Sequence, residues 1–205
     1  MAKLYFRFGA VGSAKTLNLL AVAHNYRQQR KHILLIKPAM DDRFGKNNIK
    51  SRAGLETEAD ILVDEKTNLL LFKFEDIDCL LVDEAQFLSR NVIDQLRKIS
   101  LEKSIPVICY GLRTDFRTNL FEGSRRLMEI ADSIEEVKST CHYCNRKAVM
   151  NLKHVNGKPT CEGASIQLGC EETYFPACCK CYFDQVNRTA DKEVSSLVAT
   201  YSQIG

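Results

Sequence analysis

No stretch of this 205-residue chain approaches the roughly eighteen consecutive apolar residues that a membrane-spanning helix needs, so no span is expected. A signal-peptide core is not expected at the N-terminus either, because Arg7 interrupts the first apolar run. Strong charge of one sign is also missing. The formal net charge of +3 is too small to argue by itself for a nucleic-acid or membrane partner. Internal repeats and low-complexity tracts are absent. What is present is the profile of a soluble globular protein, 45% hydrophobic and 27% charged. The length allows one large domain or one and a half. Nine cysteines make an odd count, and Cys79 and Cys109 fall in apolar, strand-like runs. Such usage argues against a secreted disulfide framework and fits a reducing cytoplasm with some thiols held by a metal.

Up to about Lys138, short apolar runs alternate with amphipathic ones. Strands are expected at Leu4–Phe8, His32–Ile36, Ile61–Val63, Leu80–Val82, Val107–Tyr110 and Ser133–Val137, and helices at Lys15–Arg30, Arg90–Lys103 and Leu120–Ile130. In the second helix Ile93, Leu96, Arg97 and Ile99 with Leu101 mark an apolar face, with polar residues opposite. This alternation predicts an α/β fold, a mostly parallel sheet with helices on both faces. The charged, glycine-containing segment Asp41–Glu58 reads as a long mobile loop. From Ser139 onward the chain turns cysteine-rich, with few helix signals, and is too small for a large core of its own, so it needs a staple. The expected division is 1–138, 139–188, and a polar tail over 189–205.

The most informative segment is Phe8-Gly9-Ala10-Val11-Gly12-Ser13-Ala14-Lys15-Thr16. It matches the phosphate-loop pattern G-x-x-x-x-G-K-[ST], between a strand and a helix, except that Ala14 replaces the second glycine. Backbone N–H groups and the positive helix end would cradle phosphates. Lys15 would reach the β- and γ-phosphates, and the Thr16 hydroxyl would hold Mg²⁺. Gly12 and Ser13 keep the loop small.

A second signal follows an apolar strand: Cys79-Leu80-Leu81-Val82-Asp83-Glu84-Ala85-Gln86-Phe87. Adjacent carboxylates at a strand end can aim in different directions. Asp83 would face the metal beside Thr16, and Glu84 would face an acceptor hydroxyl as general base. The letters Asp-Glu-Ala-Gln also occur in helicases. A helicase usually needs a second motor lobe, and too little chain remains after Lys138 for one.

Two C-x-x-C knuckles, Cys141/Cys144 and Cys178/Cys181, complete the set. Two such pairs supply a tetrahedral four-thiolate site, for which zinc is the default metal. With no open position suggested, the metal reads as structural. Cys179 is an alternative to Cys181 with poorer spacing. His142 reads as a turn residue, and Cys161 and Cys170 as free thiols.

Taken in order, the phosphate loop, Lys37-Pro38-Ala39-Met40-Asp41-Asp42-Arg43, Asp83-Glu84-Ala85-Gln86-Phe87, Gly111-Leu112 and the two knuckles make the chain resemble the type II, cytosolic, zinc-containing thymidine kinase family in its bacterial form. The resemblance covers residues 3–187. It implies a P-loop, RecA-like domain with a small zinc-binding lasso domain closing over the nucleoside. It also implies transfer of the ATP γ-phosphoryl group to the 5′-hydroxyl of thymidine, with deoxyuridine as a further substrate, in pyrimidine salvage for DNA synthesis. ATP, Mg²⁺ and a structural Zn²⁺ follow, as do a homotetramer and feedback by thymidine triphosphate, with no nucleic-acid or membrane partner. Glu84 resembles the catalytic base. Gly9, Gly12, Ser13, Ala14, Lys15, Thr16, Asp83 and Gln86 correspond to the ATP-binding set, and Asp41 and Arg43 lie near the phosphates and metal. Val11, Phe87, Leu112, Phe116 and Phe121 look like nucleoside walls. Gln167, Leu168 and Gly169 would read the base through backbone groups, with Tyr174 beside it. Val11 stands where the family often has methionine, and Arg113 where it often has aspartate. The competing classes are a P-loop ATPase or nucleic-acid-binding zinc module without nucleoside kinase activity, and a zinc-stabilised binding protein with a non-functional loop.

Overall fold

A computed structural model describes residues 1–163 and 172–187, and the structural statements below concern those residues. Gln167 to Gly169, Cys170 and the expected tail from 189 lie outside the described residues. The chain forms two compact units, Met1–Arg113 with Leu120–Val137, and Thr114–Asn119 with Lys138–Gly205.

The first unit runs β1 (Leu4–Phe8), α1 (Lys15–Gln28), β2 (Ile33–Pro38), β3 (Asn48–Lys50), β4 (Glu56–Glu58), β5 (Ile61–Val63), β6 (Cys79–Val82), α2 (Arg90–Glu102), β7 (Val107–Gly111), α3 (Glu122–Ile130) and β8 (Ser133–Glu136). Six strands form one sheet in the order β5-β2-β6-β7-β1-β8, and every neighbouring pair is parallel. Central strands of such a sheet are covered on both faces, which is why Cys79, Leu80, Leu81 and Val82 are all buried and the strand reads as an unbroken apolar run.

On one face Leu19, Leu20 and Ala23 of α1 pack with Leu35, Leu81, Ile108 and Tyr110. On the other, Val92, Ile93, Leu96 and Ile99 of α2 and Leu127 of α3 pack with Leu4, Phe6, Leu80, Val82 and Cys109. Helix α2 starts where the Ser89 side chain accepts a hydrogen bond from the Val92 amide. Replacing the fully buried Leu96 by alanine would cost about 2–5 kcal/mol. Leu101 does not share that face; it is 40% exposed.

The segment expected to be a mobile loop contains the antiparallel pair β3–β4, with Ile49 opposite Thr57. Ile49 is buried in the α1-side core, and the Lys37 ammonium donates to the Asn48 carbonyl. One inward apolar residue among charged neighbours fixes the hairpin, too little to mark a strand in the letters alone.

The second unit contains β9 (Met150–Val155), β10 (Lys158–Thr160) and β11 (Glu172–Ala177), an antiparallel sheet in the order β10-β9-β11. Asn156 and Gly157, both at positive φ, turn β9 into β10. A helix not anticipated from the sequence occupies 179–187. Leu152, Ala177, Tyr182, Cys141 and Cys178 form this unit's core. Among the described residues, no helix is long and apolar enough to cross a membrane.

Candidate active site and metal centre

Parallel strands put all their carboxyl ends on one edge of the sheet, where loops of open α/β folds collect ligands. The turns after β1, β2, β6 and β7 meet that condition. After β1 the chain bends at Gly9, where a Cβ would lie 2.4 Å from Ser13 Oγ and 2.5 Å from the Val137 carbonyl oxygen. Only glycine fits there. Gly12 (φ +73) and Ala14 (φ +63) are both left-handed. Glycine takes that conformation freely, whereas an alanine pays about 1–2 kcal/mol. Ala14 is also the residue before α1, and it makes no side-chain cap.

Lys15 lies buried under the loop, its Nζ donating to the Gly9 carbonyl (3.2 Å), the Ala10 carbonyl (2.8 Å) and Ser13 Oγ (3.2 Å). Burial lowers its pKa to about 8, against the opposing pull of Glu84 and Asp83. The Thr16 hydroxyl donates to the Asp83 carboxylate at 3.2–3.3 Å. The loop, its lysine, its threonine and the first carboxylate thus form one cluster.

At the end of β6, Asp83 is buried, and its pKa is pushed up to about 7, first by burial and then by the charge of Glu84. Glu84 follows at φ 48, ψ 37 and opens a short 3₁₀ turn, Ala85–Phe87. This left-handed residue makes the neighbouring carboxylates diverge. Asp83 turns to Thr16, while Glu84 Oε1 meets Arg43 Nη2 at 2.7 Å. The buried Gln86 carboxamide donates to Glu84 Oε2, and its oxygen accepts from the Leu112 amide at 3.0 Å. A Cβ at Gly111 would lie 2.7 Å from Gln86 Oε1, and one at Gly123 would lie 2.4 Å from the Ala85 carbonyl oxygen. Both glycines let β7 and α3 close on the turn that aims Glu84.

Arg43 Nε also donates to Asp41 Oδ1 (2.6 Å), whose second oxygen is 3.5 Å from Lys37 Nζ. Burial would raise the Asp41 carboxyl, but Arg43 and then Lys37 hold it below its usual value. The Arg43 guanidinium is shifted upward: burial opposes, but Glu84 and Asp41 outweigh it. A continuous polar chain therefore runs Lys37–Asp41–Arg43–Glu84–Gln86–Leu112 across the ends of β2, β6 and β7.

Among the expected nucleoside walls, the Phe87 and Phe121 rings meet edge to face at 5.5 Å, and Val11 and Leu112 are half-buried. In the second unit Phe116 and Tyr174 have ring centroids 6.3 Å apart. Phe116 is only 1% exposed, with the Lys153 ammonium 4.7 Å from its ring centroid, so it belongs to that unit's interior. Gln167, Leu168 and Gly169 fall outside the described residues. The sequence reading missed Arg52, at the tip of the β3–β4 hairpin. Its guanidinium lies 3.7 Å from the position a Gly12 Cβ would take.

The Sγ atoms of Cys141, Cys144, Cys178 and Cys181 lie within 4.8 Å of one another. Cys144 is 3.7 Å from Cys178 and 3.6 Å from Cys181. A zinc–sulfur tetrahedron with bonds near 2.3 Å has edges of about 3.8 Å, so the four sulfurs fit that ion. The Tyr143 and Cys181 amides donate to Cys141 Sγ and Cys178 Sγ, each at 3.4 Å, which favours thiolates. Cys179 is exposed and outside the cluster, and the His142 ring lies against Phe175. With all four positions filled by sulfur, a metal here serves structure.

The model of the thymidine kinase family matches residues 2–182 of the chain. The chain belongs to the thymidine kinase family. It is 44% identical to a thymidine kinase of Streptococcus gordonii over 185 residues, covering 89% of this chain and 97% of the relative. A Lactiplantibacillus plantarum thymidine kinase is 43% identical over 185 residues, covering 89% and 96%. One from Streptococcus pyogenes is 42% identical over 189 residues, covering 90% and 98%. Membership of the thymidine kinase family makes the chain an enzyme, a nucleoside kinase, and implies ATP as its phosphoryl donor.

Proposed function

We propose that the chain phosphorylates thymidine at its 5′-hydroxyl, with deoxyuridine as a further acceptor. The observation that carries this is the divergence of Asp83 and Glu84 beside a phosphate loop: one carboxylate turns to Thr16, and the other stands free of it as a base. The 5′-oxygen attacks the γ-phosphorus, and the bond from that phosphorus to the β,γ-bridging oxygen breaks, its electron pair leaving with ADP. The 5′-hydroxyl proton passes to Glu84. Gln86 and Arg43 hold that carboxylate in place, so its orientation is set before the nucleoside arrives.

Gly9, Gly12, Ser13 and Ala14 supply the backbone cradle, and Lys15 exchanges its carbonyl partners for phosphate oxygens. Thr16 and Asp83 are the residues that would hold Mg²⁺, whose charge offsets that of the β- and γ-phosphates. Asp41 acts through Arg43. Val11, Phe87, Leu112 and Phe121 are the apolar contacts proposed for the nucleoside, with Tyr174 beside the base and Gln167, Leu168 and Gly169 reading it; Phe116, buried in its own unit, is left out of that set. Thymine offers a donor flanked by two acceptors, which backbone groups can match while leaving other bases unpaired.

The proposed organisation is an ATP-binding domain over 1–138, a zinc-stapled lasso domain over 139–188 and a tail over 189–205. Zinc, rather than another divalent ion, is supported by the all-thiolate set. A homotetramer, feedback by thymidine triphosphate and a cytoplasmic location complete the proposal, the last supported by the free thiols. An ATP-dependent phosphorylation assay across the deoxynucleosides tests it. Thymidine and deoxyuridine should be the acceptors; a preference for purine deoxynucleosides would overturn the reading.

A further inference from the structure

One element beside the phosphate loop was not anticipated from the sequence, the β3–β4 hairpin, whose Arg52 lies near Gly12. Its base is pinned by buried Ile49 and by the Lys37 ammonium on the Asn48 carbonyl. Its tip is a fixed turn. The Ser51 amide donates to the Leu55 carbonyl at 2.8 Å, Ser51 Oγ bonds both the amide and the carbonyl of Leu55, and the Gly54 amide donates to the Ser51 carbonyl at 3.0 Å. Gly54, at φ +88, supplies the left-handed residue this turn uses.

Arg52 projects from that turn. Its Nη1 is 3.7 Å from the Cβ position of Gly12, itself in the loop that wraps phosphate. A guanidinium held over this loop offers planar, paired N–H donors, which suit phosphate oxygens better than an ammonium does. The charges of Arg52 and Arg43 both act on Lys15, and both disfavour its protonation. Three cations gathered around one loop repel each other, and a polyanion among them reverses the sign of that interaction.

We infer that Arg52 is a phosphate-contacting residue of this site, carried to the phosphate loop by the β3–β4 hairpin and binding the β,γ end of ATP. The inference rests on the phosphoryl-transfer reading above and deepens it. As the bond from the γ-phosphorus to the bridging oxygen breaks, negative charge grows on the β-phosphate. A guanidinium there stabilises that charge more than the ground state.

The test uses the full chain and the substitutions Arg52→Gln and Arg52→Lys. ATP affinity is measured by calorimetry without nucleoside, kinetics with thymidine varied at saturating ATP, and folding by thermal melting. Arg52→Gln should weaken ATP about 10-fold or more, the loss of a charge-assisted contact. It should lower kcat about 100-fold, with the thymidine KM and the melting temperature unmoved. Arg52→Lys should recover ATP affinity more than kcat, because it returns charge without the fork. Unchanged ATP affinity in Arg52→Gln, or a change confined to the thymidine KM, would overturn the inference. Weakened ATP with unchanged kcat would overturn its transition-state part. If the parent chain binds ATP but phosphorylates no nucleoside, the transfer reading fails, while the affinity measurement still decides whether Arg52 contacts phosphate.

Discussion

Arg43 Nη2 stands 2.7 Å from Glu84 Oε1, and Arg43 Nε stands 2.6 Å from Asp41 Oδ1, so one guanidinium bridges the turns after β2 and β6. Glu84, the proposed base, is thereby tied to a charged partner that is itself anchored. Its position is a property of two strand ends rather than of one flexible side chain. Glu84→Gln keeps the shape and an acceptor for Arg43 but cannot take a proton. It should lower kcat by about two to four orders of magnitude while ATP affinity, read by calorimetry, stays near the parent value. Turnover close to normal would remove Glu84 from the role of base.

Gln86 is the second hold on that carboxylate, and its amide cannot turn over without giving up the Leu112 amide. Gln86→Leu leaves the half-buried Leu112 N–H without its partner and Glu84 with Arg43 but without the Gln86 donor. Stability should fall by about 1–3 kcal/mol in denaturant titrations, and kcat should fall about 10-fold or more in the fraction that remains folded. A loss of stability with kcat intact would reduce Gln86 to a packing role.

The backbone of Ala14 explains a departure that spacing alone only flags. At φ +63 it bears the left-handed cost glycine avoids. Ala14→Gly relieves that cost but adds freedom to the unfolded chain. The net gain should be about 0.5–1 kcal/mol in melting experiments, with kcat/KM for ATP equal to or above the parent. A β-branched residue there should destabilise instead. A loss of stability in Ala14→Gly would mean the methyl group earns its place by contacts.

How far the letters reached depends on what each feature encodes. The run Cys79–Val82 and the faces of α2 were legible because burial leaves a compositional trace. Gly9, Lys15 and Thr16, and the four knuckle cysteines, were legible because their chemistry demands fixed spacing. Backbone conformation was not: neither the letter at 14 nor that at 84 reveals a positive φ, although the second is what separates Asp83 from Glu84. The β3–β4 hairpin was hidden because Ile49 is its lone deep anchor, and Arg52 was hidden with it. The grouping of Thr114–Asn119 with the second unit rests on bonds between distant residues, such as Asn151 to the Thr114 carbonyl and Tyr182 to the Phe116 carbonyl, which composition does not carry.

Asp83 makes the ligand-free protein pH-sensitive. Its pKa is raised from 3.8 to about 7, so the folded state favours the neutral acid. That contribution is complete below pH 3.8 and lost as pH rises through about 7. Asp83→Asn removes the titration. Without nucleotide or divalent metal, its melting temperature should rise relative to the parent between pH 5 and pH 8, while catalysis is lost. Melting profiles that stay parallel over that range would contradict the assignment.

The cysteine cluster gives a metal-content prediction. The purified chain should hold about one zinc per molecule by atomic spectroscopy. Cys144→Ser should lose the metal and destabilise the second unit, and strong chelators should do the same. Cys179→Ser should retain full zinc, since that thiol lies outside the cluster. Equal zinc loss in both variants would mean the ligand set is misassigned.

The most direct measurement follows the label from γ-phosphate-labelled ATP after incubation with thymidine and Mg²⁺. Label should move to thymidine 5′-monophosphate in the parent chain and fail to move in Glu84→Gln. Release of the label only as inorganic phosphate, with no labelled nucleotide formed, would contradict the account.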